Sequence, residues 1–440
     1  MSKFSLPYLL FLTFFLSYSQ LYSQTTGKIA GKITDIKTGE PIPYANVYIH
    51  ETSQGAAADV NGNYVILDVA PGLYKVTCSV VGYKKVTVEN ARVNVDFTTR
   101  LNFQLTKGAI NLPAVIVQGE RNPLIVRDLT NPTVAINDKT IQELPVDQIS
   151  DIIKLQAGVV QGNNGILHVR GGYGNEISYT LNGVPINDPY GNTRSISIAT
   201  NAVKEVSVST GTFSAQYGNA LSGVVNYVTK EGGNRPSFSL RAYSGDYITN
   251  RTALFTGEIS HIDPLNSARL EATLGGPIPF TNNKLHFYSS GVFINFKGSL
   301  YGNKLYKPSD SYLTPAGFKT GDSRKGTSTA PYYFNPYNDY NDSTGLPTGN
   351  KAIVPMNPSK SINFQGNISY KLSSAFKLEY DVAYDKGHYK NYNIAYKYNP
   401  EGIGTHYYNG LIQTLGLTHM VNSNIFYTLK FSYADNQAQY

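Results

Sequence analysis

The 440-residue chain has one cysteine, three methionines and no tryptophan. A lone Cys78 forbids an internal disulfide and a cysteine-based metal cluster. Its setting, Val76-Thr-Cys-Ser-Val80, alternates as a strand does, which predicts a buried, inert thiol. Charged residues make up only 15% of the chain, and the net charge of +7 contains no dense basic run, so a nucleic-acid partner is not expected. No stretch reaches about 18 uninterrupted apolar residues, which excludes a transmembrane helix but leaves the closed barrel as a way of crossing a bilayer. Catalytic patterns are also missing. The histidines are His50, His168, His261, His286, His388, His406 and His419, and none begins H-x-x-E or H-E-x-x-H. No G-x-S-x-G elbow occurs. Gly171, Gly172 and Gly174 do not follow the G-x-G-x-x-G spacing of a nucleotide loop. Asp339, Asn341 and Asp342 lack the glycine and glutamate of an EF-hand. The expectation is therefore a non-enzyme, with no catalytic residues, no cofactor and no metal.

What is abundant points to β structure. The 35 Tyr, 19 Phe and 40 Gly, among few charges, suit strands with lipid on one side and water on the other. At the N-terminus, Lys3 precedes an apolar stretch, Leu6 to Leu16, too short to span a bilayer. Cleavage after Ser19 or after Ser23 would remove residues 1–23 or nearly so as a signal peptide, and the chain is exported.

Residues 24–107 form the first unit, a small β-sandwich. Its strands are predicted at Lys28–Thr34, Ala45–His50, Tyr64–Val69, Leu73–Val80, Lys85–Val88 and Arg100–Leu105. Turn signals separate them at Lys37-Thr-Gly-Glu-Pro41, Asp59-Val-Asn-Gly62 and Pro71-Gly72. A linker, 108–120, carries a β-prone core, Ala114-Val-Ile-Val-Gln118. Residues 121–232 mix one helix with short strands. Ile149, Ile152 and Ile153 share a helix face, and Gly158 is expected to end that helix. Ile177, Tyr179 and Leu181 alternate, as do Val206 with Val208, and Val224 and Val228 about Asn226.

From 233 to 440 the alternation lengthens. Ile362, Phe364, Ile368 and Tyr370 stand opposite Asn363, Gln365, Asn367 and Ser369. Leu378, Tyr380, Val382 and Tyr384 stand opposite Lys377, Glu379, Asp381 and Asp385. Further strands are predicted at Phe238–Tyr243, Ala253–Ser260, Arg269–Leu274, Leu285–Phe296, Gly410–Met420 and Ile425–Ala434. Beyond Ala434 the alternation fades. Tyr301–Lys360 reads as a long loop. One apolar and one polar face per strand is the pattern of a transmembrane barrel.

Two glycine-rich blocks and the first unit carry family resemblances. The blocks run His168-Val-Arg-Gly-Gly-Tyr-Gly-Asn-Glu through Asn182-Gly-Val-Pro-Ile-Asn-Asp188, and Gly211-Thr-Phe-Ser-Ala-Gln-Tyr-Gly through Val224-Val-Asn-Tyr-Val-Thr229. They resemble the plug domain of TonB-dependent outer-membrane receptors, in the form common in the Bacteroidetes. The order Gly31-Lys-Ile-Thr-Asp, Gly39-Glu-Pro-Ile-Pro-Tyr-Ala-Asn-Val, Asp59-Val-Asn-Gly-Asn-Tyr64 and Pro71-Gly-Leu-Tyr resembles the carboxypeptidase-regulatory-like domain. The fold implied is mainly β: that sandwich, an α+β plug, then the first strands of a 22-stranded type of transmembrane barrel.

The resemblance implies active uptake of a scarce nutrient, of siderophore, glycan or peptide class, through the outer membrane of a Gram-negative bacterium. The N-terminal unit would be periplasmic. TonB, with its inner-membrane energising complex, would be a partner, alongside outer-membrane lipid, the nutrient and a surface lipoprotein. The alternative is a surface-binding or signal-transducing receptor without transport. By the same resemblance Ala114, Val115, Ile116, Val117 and Gln118 stand where the TonB box lies, although the exit strand of the sandwich is a competing reading. Arg170 stands where the family has an arginine that pairs with carboxylates on the barrel wall. Asn182, Gly183, Asn187 and Asp188 form a plug turn that could meet ligand. Residues 233–440 offer about eight strands against the family's 22, so the chain is expected to be a fragment or a truncated gene product.

Overall fold

The computed structural model describes residues 26–50, 52, 54–95, 97–108, 115–118, 133–144, 146–162, 165–213, 217–249, 251, 262–307, 349–373, 375–422 and 425–440. The expected signal segment lies outside the described residues, as do Ala114, the predicted strand Ala253–Ser260 and the Asp339–Asp342 cluster.

The first unit is a sandwich built from β1 (Gly27–Asp35), β2 (Asn46–Ile49), β3 (Gly55–Ala57), β4 (Asn63–Val69), β5 (Gly72–Ser79), β6 (Val86–Val93), β7 (Thr98–Arg100), β8 (Phe103–Leu105) and β9 (Val115–Gln118). One sheet has the order β4-β1-β7, with β8 also on β1, and the other has the order β3-β2-β5-β6-β9. The period-two alternation sends Ile29, Ile33, Val47, Ile49, Tyr64, Ile66, Val76, Cys78, Phe103 and Leu105 into a common core. Cys78 is fully buried, and burial pushes its thiol up to about 12. β3 lies outside the predicted strands, because Gly-Ala-Ala carries no strand signal of its own; pairing with β2 creates it.

The middle unit holds β10 (Thr133–Asn137), α1 (Asp138–Glu143), α2 (Ile149–Ile153), β11 (Val159–Gln161), β12 (Leu167–Val169), β13 (Ile177–Leu181), β14 (Val184–Pro185), β15 (Val203–Thr210) and β16 (Gly223–Thr229). Its main sheet runs β10-β15-β16-β13-β14, with β13 and β16 parallel and the other pairs antiparallel. Ile149, Ile152 and Ile153 point into its core beside Ile177, Tyr227 and Val206. α1 adds a helix to the one expected in this unit; Asn137 caps it by accepting the Thr140 backbone N–H at 3.1 Å. α2 stops at Ile153, before Gly158, whose positive φ instead shapes the turn leading into β11.

The last unit is an antiparallel meander: β17 (Ser237–Gly245), β18 (Ser267–Pro277), β19 (Leu285–Phe296), β22 (Ser359–Lys371), β23 (Phe376–Tyr389), β24 (His406–Asn422) and β25 (Ile425–Gln439). A small hairpin, β20 (Tyr301–Asn303) with β21 (Ile353–Pro355), lies in the long connection after β19. β17 pairs directly with β18, so no strand stands between them in this sheet. β25 runs through Gln439, past the point where the alternation fades, because its ladder with β24 continues to Tyr407.

Its seven strands are nine to 17 residues long, enough to span the hydrocarbon of a bilayer. Leu270, Phe293, Ile362, Phe364, Ile368 and Leu415 are exposed on one face, whereas Glu271, Ser290, Gln365, Asn367, Asp385 and Thr414 are buried on the other. An extended apolar face with a polar reverse is a wall built for lipid outside and a wet interior. Among the described residues no helix is long and apolar enough to cross a membrane.

Candidate functional site

The middle unit lies against the polar face of the meander, and the seam between them is the site. It starts at the tight turn after β13. Asn182 and Gly183 both have positive φ, 49° and 78°. Two successive left-handed residues make the I′-type hairpin turn, and asparagine is one of the few side-chain-bearing residues that tolerates it. The turn presents Asn182 to the wall, where it is 9% exposed. Its Nδ2 donates to Asp381 Oδ1 at 3.1 Å and to Thr229 Oγ1 at 2.8 Å, and its carbonyl accepts Lys430 Nζ at 2.5 Å. Asn367 Nδ2 donates to the same Asp381 oxygen at 2.9 Å. The wall carboxylate thus sits among amide donors beside an ammonium, as a desolvated charge requires.

Further ties follow along the chain. The Ser197 backbone N–H donates to Asp385 Oδ2 at 2.9 Å, and Asn363 Nδ2 donates to the Ser197 carbonyl at 2.6 Å. On β19, Tyr288 and Ser290 donate to the carbonyl and the Oδ1 of Asn201, at 2.9 and 2.7 Å. Tyr243 donates to Asp147 Oδ1 at 2.5 Å, and Arg269 Nη2 donates to the Asp147 carbonyl at 3.2 Å. Where the middle unit leads into β17, Lys377 pairs with Glu231 at 2.8 Å. Apolar contact is sparse: Ala383 and Ile412 join the middle unit's core, and Val292 packs with Ala199 and Ala202. Gly410 leaves room for the Asp385 carboxylate: a Cβ there would come within 2.4 Å of Asp385 Oδ1, which would have to shift.

A seam of this kind is held by separate polar ties more than by a continuous core. Each tie has a hydrated alternative, so the two surfaces can part without exposing a large apolar area.

The sequence-predicted residues fall in different places. Arg170 is exposed, has a positive φ of 49°, and donates through Nε to Thr210 Oγ1 at 3.3 Å within the middle unit. Among the described residues it makes no ion pair. The buried wall carboxylate that does hold guanidinium groups is Glu271, paired with Arg241 and Arg269 of the wall itself at 2.5 Å each. The two glycine-rich blocks meet inside the middle unit, where the Leu221 and Ser222 N–H groups donate to the Glu176 carbonyl. A Cβ on Gly172 would lie 2.5 Å from Ser222 Cβ, so that glycine allows the blocks to touch each other.

Asn187 and Asp188 are separated from Asn182 and Gly183. Asn187 bridges strand backbone, accepting the Tyr179 N–H at 2.7 Å and donating to the Ile177 carbonyl at 2.8 Å. Asp188 accepts the N–H groups of Tyr190 and Gly191, both at 2.9 Å, and the Thr193 hydroxyl at 2.9 Å. The Gly191 N–H, followed by the Thr193 hydroxyl and the other N–H groups, holds this carboxyl below its ordinary range. The loop carries Tyr190 fully exposed at its tip. Val115–Gln118 form β9, the end strand of a sandwich sheet.

Asp147, Asn201, Asp381, Asp385 and Lys430 were not singled out from sequence. One signal is available: in the strand 376–389 four of the five charged residues, Lys377, Glu379, Asp381 and Asp385, occupy one phase. Charge on the enclosed face of a barrel strand asks for a partner inside. Among the described residues no cluster of three or more His, Cys, Asp or Glu is placed to hold a metal ion.

Comparison with known proteins agrees with this geometry. Residues 29–117 match the family model of the CarboxypepD_reg-like domain, and residues 125–225 match that of the TonB-dependent receptor plug domain. The TonB-dependent transporter Oar of Myxococcus xanthus is 25% identical over 271 residues, which is 56% of this chain and 25% of that protein. The chain thus spans about a quarter of the length of this curated relative. Among solved structures, the alcaligin outer-membrane receptor FauA of Bordetella pertussis aligns at 12% identity and a TM-score of 0.46, covering 71% of this chain and 40% of that one. The ferric enterobactin receptor PfeA of Pseudomonas aeruginosa aligns at 16% identity and a TM-score of 0.46, covering 70% and 41%. Scores at this level add nothing to the family matches.

Proposed function

We propose, for a chain that belongs to the TonB-dependent receptors, that it is the plug-bearing part of an energised importer in the outer membrane of a Gram-negative bacterium. The importer would take up a scarce nutrient of siderophore, glycan or peptide class. The observation that carries this reading is the seam. A plug tied to the polar face of a lipid-type wall by Asn182–Asp381, Ser197–Asp385 and Asn201–Ser290 is arranged to close a pore reversibly. Ligand arriving from outside would bias the plug, and the loop bearing the exposed Tyr190 would be one point of contact. TonB, energised across the inner membrane, would pull on the segment preceding the plug, bound through β-augmentation at Ala114–Gln118. The sandwich then faces the periplasm, and Arg170 keeps its proposed role as a latch toward wall strands.

The test is accumulation of a labelled nutrient by cells carrying the intact receptor, with and without a protonophore. Accumulation that stops when the proton gradient collapses, while surface binding persists, supports the importer. Binding without any gradient-dependent accumulation supports the receptor without transport.

A further inference from the structure

We propose that the sandwich is the resting holder of residues 115–118, so that engagement of this segment by a strand-adding partner begins with its release from β6. The inference rests on the reading of Ala114–Gln118 as the partner-binding segment. β9 runs parallel to β6 with the pairs Val86–Val115, Thr87–Ile116, Val88–Val117 and Glu89–Gln118. The segment is therefore the fifth strand of the sheet β3-β2-β5-β6-β9. The family model of the sandwich extends to residue 117, which independently counts most of this strand with the domain.

The geometry explains both the holding and the release. β6 is paired along its other edge by β5, so β9 covers the edge that would otherwise stand open. The ladder is only four residues long and parallel, the weaker of the two pairings per residue. Such a strand can be exchanged for a partner's strand without unfolding the sandwich core, which the other strands supply. The holder is also anchored to the plug. Just past the end of β6, the Val95 N–H donates to Glu205 Oε1 at 2.8 Å, and Glu205 is 1% exposed on β15. Glu205 lies opposite Asn137 of β10, the first strand of the plug sheet after the segment among the described residues. The sandwich that holds the segment is thus tied to the plug sheet at the place where β15 pairs with β10.

The experiment uses the intact receptor with Thr87→Cys and Ile116→Cys, leaving the buried Cys78 in place. The new disulfide is verified by mass spectrometry, and binding to the periplasmic domain of TonB is measured oxidised and reduced. A loss of about tenfold or more on oxidation, reversed by reductant, is the expected result. Oxidised binding equal to reduced binding overturns the proposal, as does a pair of cysteines that never crosslinks. An Ile116→Pro variant separates the two layers. If it loses TonB binding while the crosslinked receptor keeps it, the segment reading stands and the holder falls. If Ile116→Pro binds TonB normally, the segment reading itself falls.

Discussion

Asp381 of the wall accepts the side-chain amide of Asn182 of the plug at 3.1 Å. Lys430, two strands along, reaches the carbonyl of the same asparagine at 2.5 Å. One plug residue is therefore gripped by a carboxylate and an ammonium from different strands. Asp381→Ala removes the acceptor shared by the Asn182 and Asn367 side-chain amides. The expected cost to plug docking is about 1–3 kcal/mol. In planar bilayers the intact receptor carrying this change should show more frequent ion leaks than the wild type. Equal conductance would mean that the tie contributes nothing to closure.

The backbone of the same turn gives a second test. Asn182→Gly keeps the left-handed conformation, whereas Asn182→Val forces a β-branched residue to a φ of 49°. The valine variant should be destabilised by about 1–3 kcal/mol beyond the glycine variant, read as protease sensitivity of the plug. Both lose the amide, so the difference between them isolates the turn.

Much of this architecture is legible in the sequence, for identifiable reasons. The bounds of β19, Leu285–Phe296, coincide with the alternating pattern because one face needs lipid-compatible side chains and the other does not. The sandwich strands β1, β2 and β4 follow from the same period-two rule. Pairing choices were not legible. Nothing in Val115-Ile-Val-Gln118 says that it will lie parallel to β6, because a strand's own residues do not name its neighbour. The family arginine drew attention to Arg170, while the observed ties run through Asn182, Ser197 and Asn201. All three use backbone atoms, whose roles leave no trace in residue identity.

Asp68, partly buried at the end of β4, has its carboxyl pushed up to about 6 by burial, against the opposing pull of Lys377. A raised carboxyl favours the folded state fully below the ordinary carboxylate range and loses that contribution as pH rises through about 6. The sandwich should therefore melt at a higher temperature at pH 5 than at pH 7 insofar as this group governs it. Asp68→Asn, tolerated at a φ of 57°, should narrow that difference. An unchanged difference would show that other groups set the pH dependence.

Cys78 is fully buried with its thiol raised to about 12, so at pH 8 it should resist maleimide for as long as the sandwich stays folded. Labelling should rise sharply at the denaturant concentration that unfolds the sandwich. Rapid labelling of the native protein would contradict the packing of the two sheets.

The most direct test of the account is deletion of Ala114–Gln118 from the intact receptor, followed by parallel assays of surface binding and uptake. An importer driven through this segment predicts that binding survives and uptake is abolished. Uptake at the wild-type rate in the deletion would contradict it.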